Sequence, residues 1–124
     1  MTLFDAQWQF CQDRMLLYTQ IRAAGWSLAE RELKRTEEQQ KIYMERGVTS
    51  TMNSDHLNSL AIDLYLRTPN GEVLESEAQF RKHWDKVNEF ASFWEHLSPR
   101  NYWGGRWKQP FDPYHFGTKY KKEG

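Results

Sequence analysis

The stretch Ser54-Asp55-His56-Leu57-Asn58-Ser59-Leu60-Ala61-Ile62-Asp63-Leu64-Tyr65-Leu66-Arg67 joins a polar loop to a run that alternates from Leu60 onward. Alternation of this kind is the period of a strand with one buried face. Ile62, Leu64 and Leu66 fall on one side, and Ala61, Asp63 and Tyr65 on the other, so Asp63 turns away from the apolar side. A second stretch, Asp112-Pro113-Tyr114-His115-Phe116, holds another histidine with a carboxylate three residues before it. His56, Asp63 and His115 are ligand types that zinc favours, and two histidines plus one carboxylate leave a fourth position open for water. Spacing alone leaves a second reading open, in which these are ordinary polar side chains and Asp112 is a turn residue before Pro113.

Working outward, Thr68-Pro69-Asn70-Gly71 is a turn signal, and Glu72 to Leu74 reads as a returning strand. Ser76-Glu77-Ala78-Gln79 has the form of a capping box. It opens one long helix with Phe80, Trp84, Val87, Phe90 or Ala91, Trp94 and Leu97 inward, stopping at Ser98 before Pro99. His83 and His96 lie in that helix and are expected to be solvated or partly buried side chains, not ligands. Upstream, Trp8, Cys11, Met15, Tyr18 and Ile21 recur at helical spacing between Asp5, a candidate N-cap, and about Ala24, with Gly25 as the stop. A short strand is predicted over 25–31. Thr36-Glu37-Glu38-Gln39 is a further capping box, starting a helix that reaches about Arg46 and ends at Gly47. Residues 48–58 read as a loop. In the last quarter, Trp103 and Trp107 flank a flexible diglycine and Pro110 and Pro113 forbid a helix, so loop and short strand are expected. Phe116 to Tyr120 reads as a final strand, with the tail fraying within 119–124.

A chain of 124 residues fits one domain, spanning 1–124. Its 39% hydrophobic and 15% aromatic content argues against disorder, while 27% charged residues argue for a soluble protein without a membrane span. The N-terminal segment has neither a basic n-region nor an apolar h-region, so no secretory signal is expected. The lone Cys11 reads as a small core residue in a reducing compartment. A net charge of zero gives no long-range attraction to nucleic acid or anionic membrane, leaving Lys119 to Lys122 as a local basic patch.

Three motifs together resemble the zinc D,D-peptidase and L-alanyl-D-glutamate peptidase family, in the branch that includes phage endolysins. Ser54, His56, Ala61 and Asp63 match its first motif. Asp112, His115 and Phe116 match its closing motif, preceded by Trp103-Gly104-Gly105 with Trp107 beyond. Arg35-Thr36 followed by Glu37-Glu38-Gln39 matches a third element, and the resemblance spans about residues 20 to 118. Two departures stand out: Ser59 where many relatives have glycine, and Leu33-Lys34 where a glycine and an aromatic residue often precede the arginine.

The resemblance implies an α+β fold, three helices on a small, mainly antiparallel sheet, with one zinc ion in a cleft across the sheet. It implies His56, Asp63 and His115 as metal ligands, Asp112 as general base, and Arg35 steadying substrate or transition-state charge. Ser54 would orient His56 or touch substrate, and Trp103 and Trp107 would wall the cleft or pack in the core. The implied partner is the peptide stem of bacterial peptidoglycan, cut between L-Ala and D-Glu by a monomeric endolysin. Such an enzyme is made in a host cytoplasm without a signal peptide and acts on the cell wall after release. A D-Ala-D-Ala carboxypeptidase is the alternative, followed by a non-catalytic, zinc-stabilised module for cell wall or nucleic acid.

Overall fold

The computed structural model describes residues 1–31, 37–45 and 55–121. The alternating run becomes the central strand. Strands β1 (Ser27–Arg31), β2 (Ala61–Arg67), β3 (Asn101–Trp103) and β4 (His115–Thr118) form one sheet in the order β1-β2-β4-β3, antiparallel throughout. Ile62, Leu64 and Leu66 are fully buried, as their period demands, and Phe116 and Trp103 continue the same apolar face across β4 and β3. Fully burying side chains of this size contributes about 1.5–3 kcal/mol each.

Helices α1 (Leu3–Ala23), α3 (Glu77–Lys82) and α4 (Trp84–Leu97) cover that face, while α2 (Glu37–Glu45) carries the exposed Ile42 and Met44. α1 starts on Thr2, not Asp5: the Thr2 hydroxyl accepts from the Asp5 backbone N–H and the Asp5 carboxylate accepts from the Thr2 N–H. It ends as expected at Gly25, which takes φ +83, with its N–H on Arg22 O and the Trp26 N–H on Ile21 O. The inward face differs from the sequence expectation. Ala6, Phe10, Asp13, Leu17 and Ile21 are buried, while Trp8 and Met15 are exposed and Cys11 is only half-buried. The buried Asp13 decides this face, because its carboxylate accepts from Asn101 Nδ2 of β3 at 3.0 Å and from Gln9 Nε2 at 2.9 Å.

The long helix predicted after Ser76 is two helices. Ser76 caps α3 as expected, but His83 leaves helical geometry (φ −106, ψ 22), and α4 begins anew at Trp84. The His83 ring is held outside the helix, with Nε2 2.9 Å from Glu72 Oε1 and an edge-to-face contact on Trp26. Beyond the break, Val87, Phe90, Ala91 and Trp94 face the core. The return after the turn at Gly71 (φ +90) is a single bridge, Arg67 to Val73, in place of a strand. Lys119, expected in a fraying tail, is held by its N–H on Arg100 O and its ammonium on Asp55. No helix among the described residues is long and apolar enough to cross a membrane.

Candidate metal centre and active site

With one face of the sheet buried, alternation sends every second residue to the other face. There Asp63 of β2 stands directly opposite His115 of β4 and Arg31 of β1, and Ala61 of β2 and Tyr102 of β3 both stand opposite Gly117 of β4. His115 Nδ1 lies 3.7 Å from Asp63 Oδ1, and the imidazole is buried.

Asp112 joins them through backbone closure. Its N–H donates to Gly104 O and its carbonyl accepts from the His115 N–H, both at 3.2 Å, which folds residues 112–115 back onto the sheet edge. Gly104 must lack a side chain for this: a Cβ there would stand 2.3 Å from Asp112 O and 3.0 Å from His115 Cβ. At Gly105 a Cβ would stand 2.2 Å from the Trp103 ring. The diglycine expected to be flexible is thus buried, and both residues are small because something packs on them.

The result is a cluster in which Asp63, Asp112 and His115 each offer a ligand atom within 4.8 Å of the others. The donor set fits zinc. Two carboxylates and an imidazole are its usual oxygen and nitrogen ligands, and two donors of a tetrahedral zinc sit about 3.4 Å apart, close to the 3.7 Å between Nδ1 and Oδ1.

Around His115 the aromatic residues divide. Trp107, 38% exposed, stacks on Tyr102 and meets His115 at a tilt of 41°, with ring centroids 5.9 and 5.2 Å away, so it borders the centre. Trp103 does not. It is fully buried, its Nε1 donates to Pro113 O at 2.8 Å, and it belongs to the core because odd positions of β3 face inward. Ser54, Arg35 and the His56 side chain lie outside the described residues; the His56 backbone sits in a single 3-10 turn, Asp55–Asn58.

Four residues near the centre were missed from sequence. Tyr102 donates its hydroxyl proton to Asp55 Oδ2 and lies 2.9 Å from His115 Nε2. Burial, then the nearby Asp55 charge, pushes its phenol far above the ordinary tyrosine range, so it stays protonated. Lys119 Nζ caps the pair, 3.3 Å from Asp55 Oδ2 and 4.3 Å above the Tyr102 ring. Arg31 lies over the Tyr65 ring at 5.3 Å. Period two was the available signal: Tyr102 lies between the inward Asn101 and Trp103 and must face the centre. From Arg31 and Tyr65 a groove of about 410 Å³ runs along the same sheet face past Ala29, Ser27 and Arg67.

A family profile described as D-alanyl-D-alanine carboxypeptidase, of the M15 peptidases, matches residues 47–118, which hold Asp63, Asp112 and His115. No curated protein sequence matches the chain. Among solved structures, the L-Ala D-Glu endopeptidase ChiX of Serratia marcescens is similar, with a TM-score of 0.66 over 89% of this chain and 77% of that one. At 23% identity the likeness bears on the fold, which is the expected α+β arrangement. The profile covers more than half of the chain, and the chain belongs to the M15 D-alanyl-D-alanine carboxypeptidase family, peptidases whose usual metal is zinc.

Proposed function

We propose that this peptidase hydrolyses the peptide stem of bacterial peptidoglycan between L-Ala and D-Glu, as an endolysin, using one zinc ion held by His56, Asp63 and His115. The observation that carries the reading is the convergence of Asp63, Asp112 and His115 from separate parts of the chain on one sheet face. When bound, zinc polarises the scissile carbonyl and lowers the pKa of water. Asp112, beside the two ligands, takes a proton from the attacking water on its carboxylate oxygen and passes it to the leaving amine nitrogen. Asp112 is suited to this because its backbone is clamped by Gly104 and His115, so its carboxylate is positioned before substrate arrives. By resemblance, Arg35 pairs with a substrate carboxylate or the developing oxyanion, for which a guanidinium fork is suited, and Ser54 orients His56 or touches substrate.

The groove beside Arg31 supports an extended, acidic peptide as substrate. It is lined by Tyr65, whose ring stacks on Tyr114 at 4.7 Å, and by the Arg31 and Arg67 cations, which outnumber Glu75, the one lining carboxylate among the described residues. Stem peptides carry free carboxylates that such cations attract. Trp107, against His115 and Tyr102, walls the cleft at the metal position. The enzyme acts as a monomer on the wall after release from the cell that makes it, with neither nucleic acid nor membrane as partner.

The family description favours a second reading, a D-Ala-D-Ala carboxypeptidase using the same residues. Digestion of purified muropeptides with the zinc-loaded protein, followed by mass analysis, separates the two. The endopeptidase releases a stem peptide beginning with D-Glu and leaves L-Ala on the sugar. Release of D-Ala alone would establish the carboxypeptidase, and intact muropeptides would sink both.

A further inference from the structure

The centre contains a hydrogen-bonded relay that a three-ligand description leaves unused. A carboxylate only accepts hydrogen bonds, so the Tyr102 hydroxyl, its proton given to Asp55 Oδ2, turns its oxygen lone pairs toward His115 Nε2 at 2.9 Å. For a neutral imidazole that contact requires the proton on Nε2. Nδ1 is then the bare lone pair, and it is the atom facing Asp63 Oδ1. Two acceptors aimed at one point is the arrangement a cation needs.

The surroundings hold the relay in place. Gly117 lies beneath Tyr102, where a Cβ would come within 2.4 Å of its hydroxyl oxygen, so only glycine lets the phenol reach His115. Trp107 stacks on the Tyr102 ring and meets the His115 ring at a tilt of 41°, and Lys119 Nζ lies 3.3 Å from the same Asp55 Oδ2 that accepts from Tyr102. Trp94 Nε1 donates to the carbonyls of both Tyr102 and Gly117, at 3.0 and 3.2 Å, fixing the backbone pair that carries the geometry.

We propose that Asp55 and Tyr102 are positioning residues that set the tautomer of His115, keeping Nδ1 unprotonated and aimed at the metal position. The proposal rests on the zinc reading above. It extends a general rule of metal sites, in which the far nitrogen of a ligating imidazole is held by an outer partner whose loss costs about 10–100-fold in metal affinity. Here the outer partner is a phenol directed by a carboxylate, and the carboxylate sits in sequence directly before His56.

The test uses the full chain with Tyr102→Phe, Asp55→Ala and Asp55→Asn. In metal-free protein, long-range ¹⁵N–¹H spectra of the imidazoles read the tautomer, and competition with a chromogenic chelator reads zinc affinity. The wild type should show His115 protonated at Nε2. Tyr102→Phe and Asp55→Ala should show a mixture or an Nδ1–H form and bind zinc about 10–100-fold more weakly, with melting of the metal-free protein little changed. Asp55→Asn, whose side-chain carbonyl still accepts, should keep most of the affinity. Unchanged tautomer and affinity in both Tyr102→Phe and Asp55→Ala would overturn the relay. If the wild type bound no zinc, the metal reading would fall and the proposal with it, whereas the tautomer spectra would still show separately whether Tyr102 directs His115.

Discussion

Replacing Gly104 by alanine should damage the catalytic centre more than the fold. The added Cβ would stand 2.3 Å from Asp112 O, whereas ordinary contact begins at 3.4 Å, so the carbonyl must retreat by about 1 Å. That carbonyl accepts the His115 N–H, and Gly104 O itself accepts the Asp112 N–H, so the movement is transmitted to both residues. A contact at 3.0 Å from His115 Cβ pushes the imidazole in addition. Overpacking of this kind costs about 1–3 kcal/mol, or roughly 4–12 °C in Tm for a domain of this size. Misplacing catalytic groups by about 1 Å costs on the order of 100-fold in rate. Gly71→Ala is the control: unlike Gly104 it sits at positive φ, but a Cβ there meets nothing within 4 Å, and it lies beyond the end of β2 remote from Asp63. It should lose about 1 kcal/mol to backbone strain and keep its activity. Muropeptide hydrolysis followed by mass analysis, zinc affinity, and thermal melting of the two variants give the comparison. A Gly104→Ala protein within two-fold of wild-type kcat/KM would refute the idea that this turn positions Asp112 and His115.

Three further outcomes are expected. Asp112→Ala should keep zinc at the wild-type stoichiometry and lose about 10²–10⁴-fold in turnover, the usual worth of a positioned base; wild-type hydrolysis of sacculi would mean that another group takes the proton. Trp94→Phe removes the donor shared by the Tyr102 and Gly117 carbonyls and leaves space in a fully buried site, so it should cost about 2–4 kcal/mol in urea unfolding; a change under about 0.5 kcal/mol would contradict this. The Glu72 carboxyl is held below the ordinary value of 4.5, chiefly by its hydrogen bond with His83. Because its folded pKa is depressed, its contribution is present above the unfolded pKa and disappears as pH falls through the folded one. The Tm advantage of wild type over Glu72→Gln should therefore vanish in acid, and an advantage independent of pH would count against it.

The sequence made some parts of this molecule legible and hid others for identifiable reasons. β2 could be read directly, since Ile62, Leu64 and Leu66 alternate with Asp63 and Tyr65, and local period is enough to settle a strand. Residue type and spacing left Asp63, Asp112 and His115 open between ligands and ordinary polar side chains; matching the motifs to a family singled them out, and the structure brings them together. The inward face of α1 could not. The helix carries two apolar stripes that share Ile21, and the choice between them is made by Asp13 bonding to Asn101, 88 positions away. The break at His83 depends likewise on Glu72 across a turn, where a capping box and an apolar period promise one continuous helix. Trp103 and Trp107 look alike in sequence, yet the strand period buries one and exposes the other beside His115. Tyr102 and Asp55 escaped notice because their partnership exists only once β3 and β4 are paired.

The central claim, that His56, Asp63 and His115 share one zinc with Asp112 beside it, is tested most directly by metal analysis after exhaustive dialysis. The proteins to compare are the wild type, His56→Ala, Asp63→Ala, His115→Ala and Asp112→Ala. The account predicts one zinc per chain in the wild type and in Asp112→Ala, and loss of zinc in each of the other three. Full occupancy in His56→Ala, Asp63→Ala or His115→Ala, loss of zinc in Asp112→Ala, or no zinc in the wild type, would contradict it.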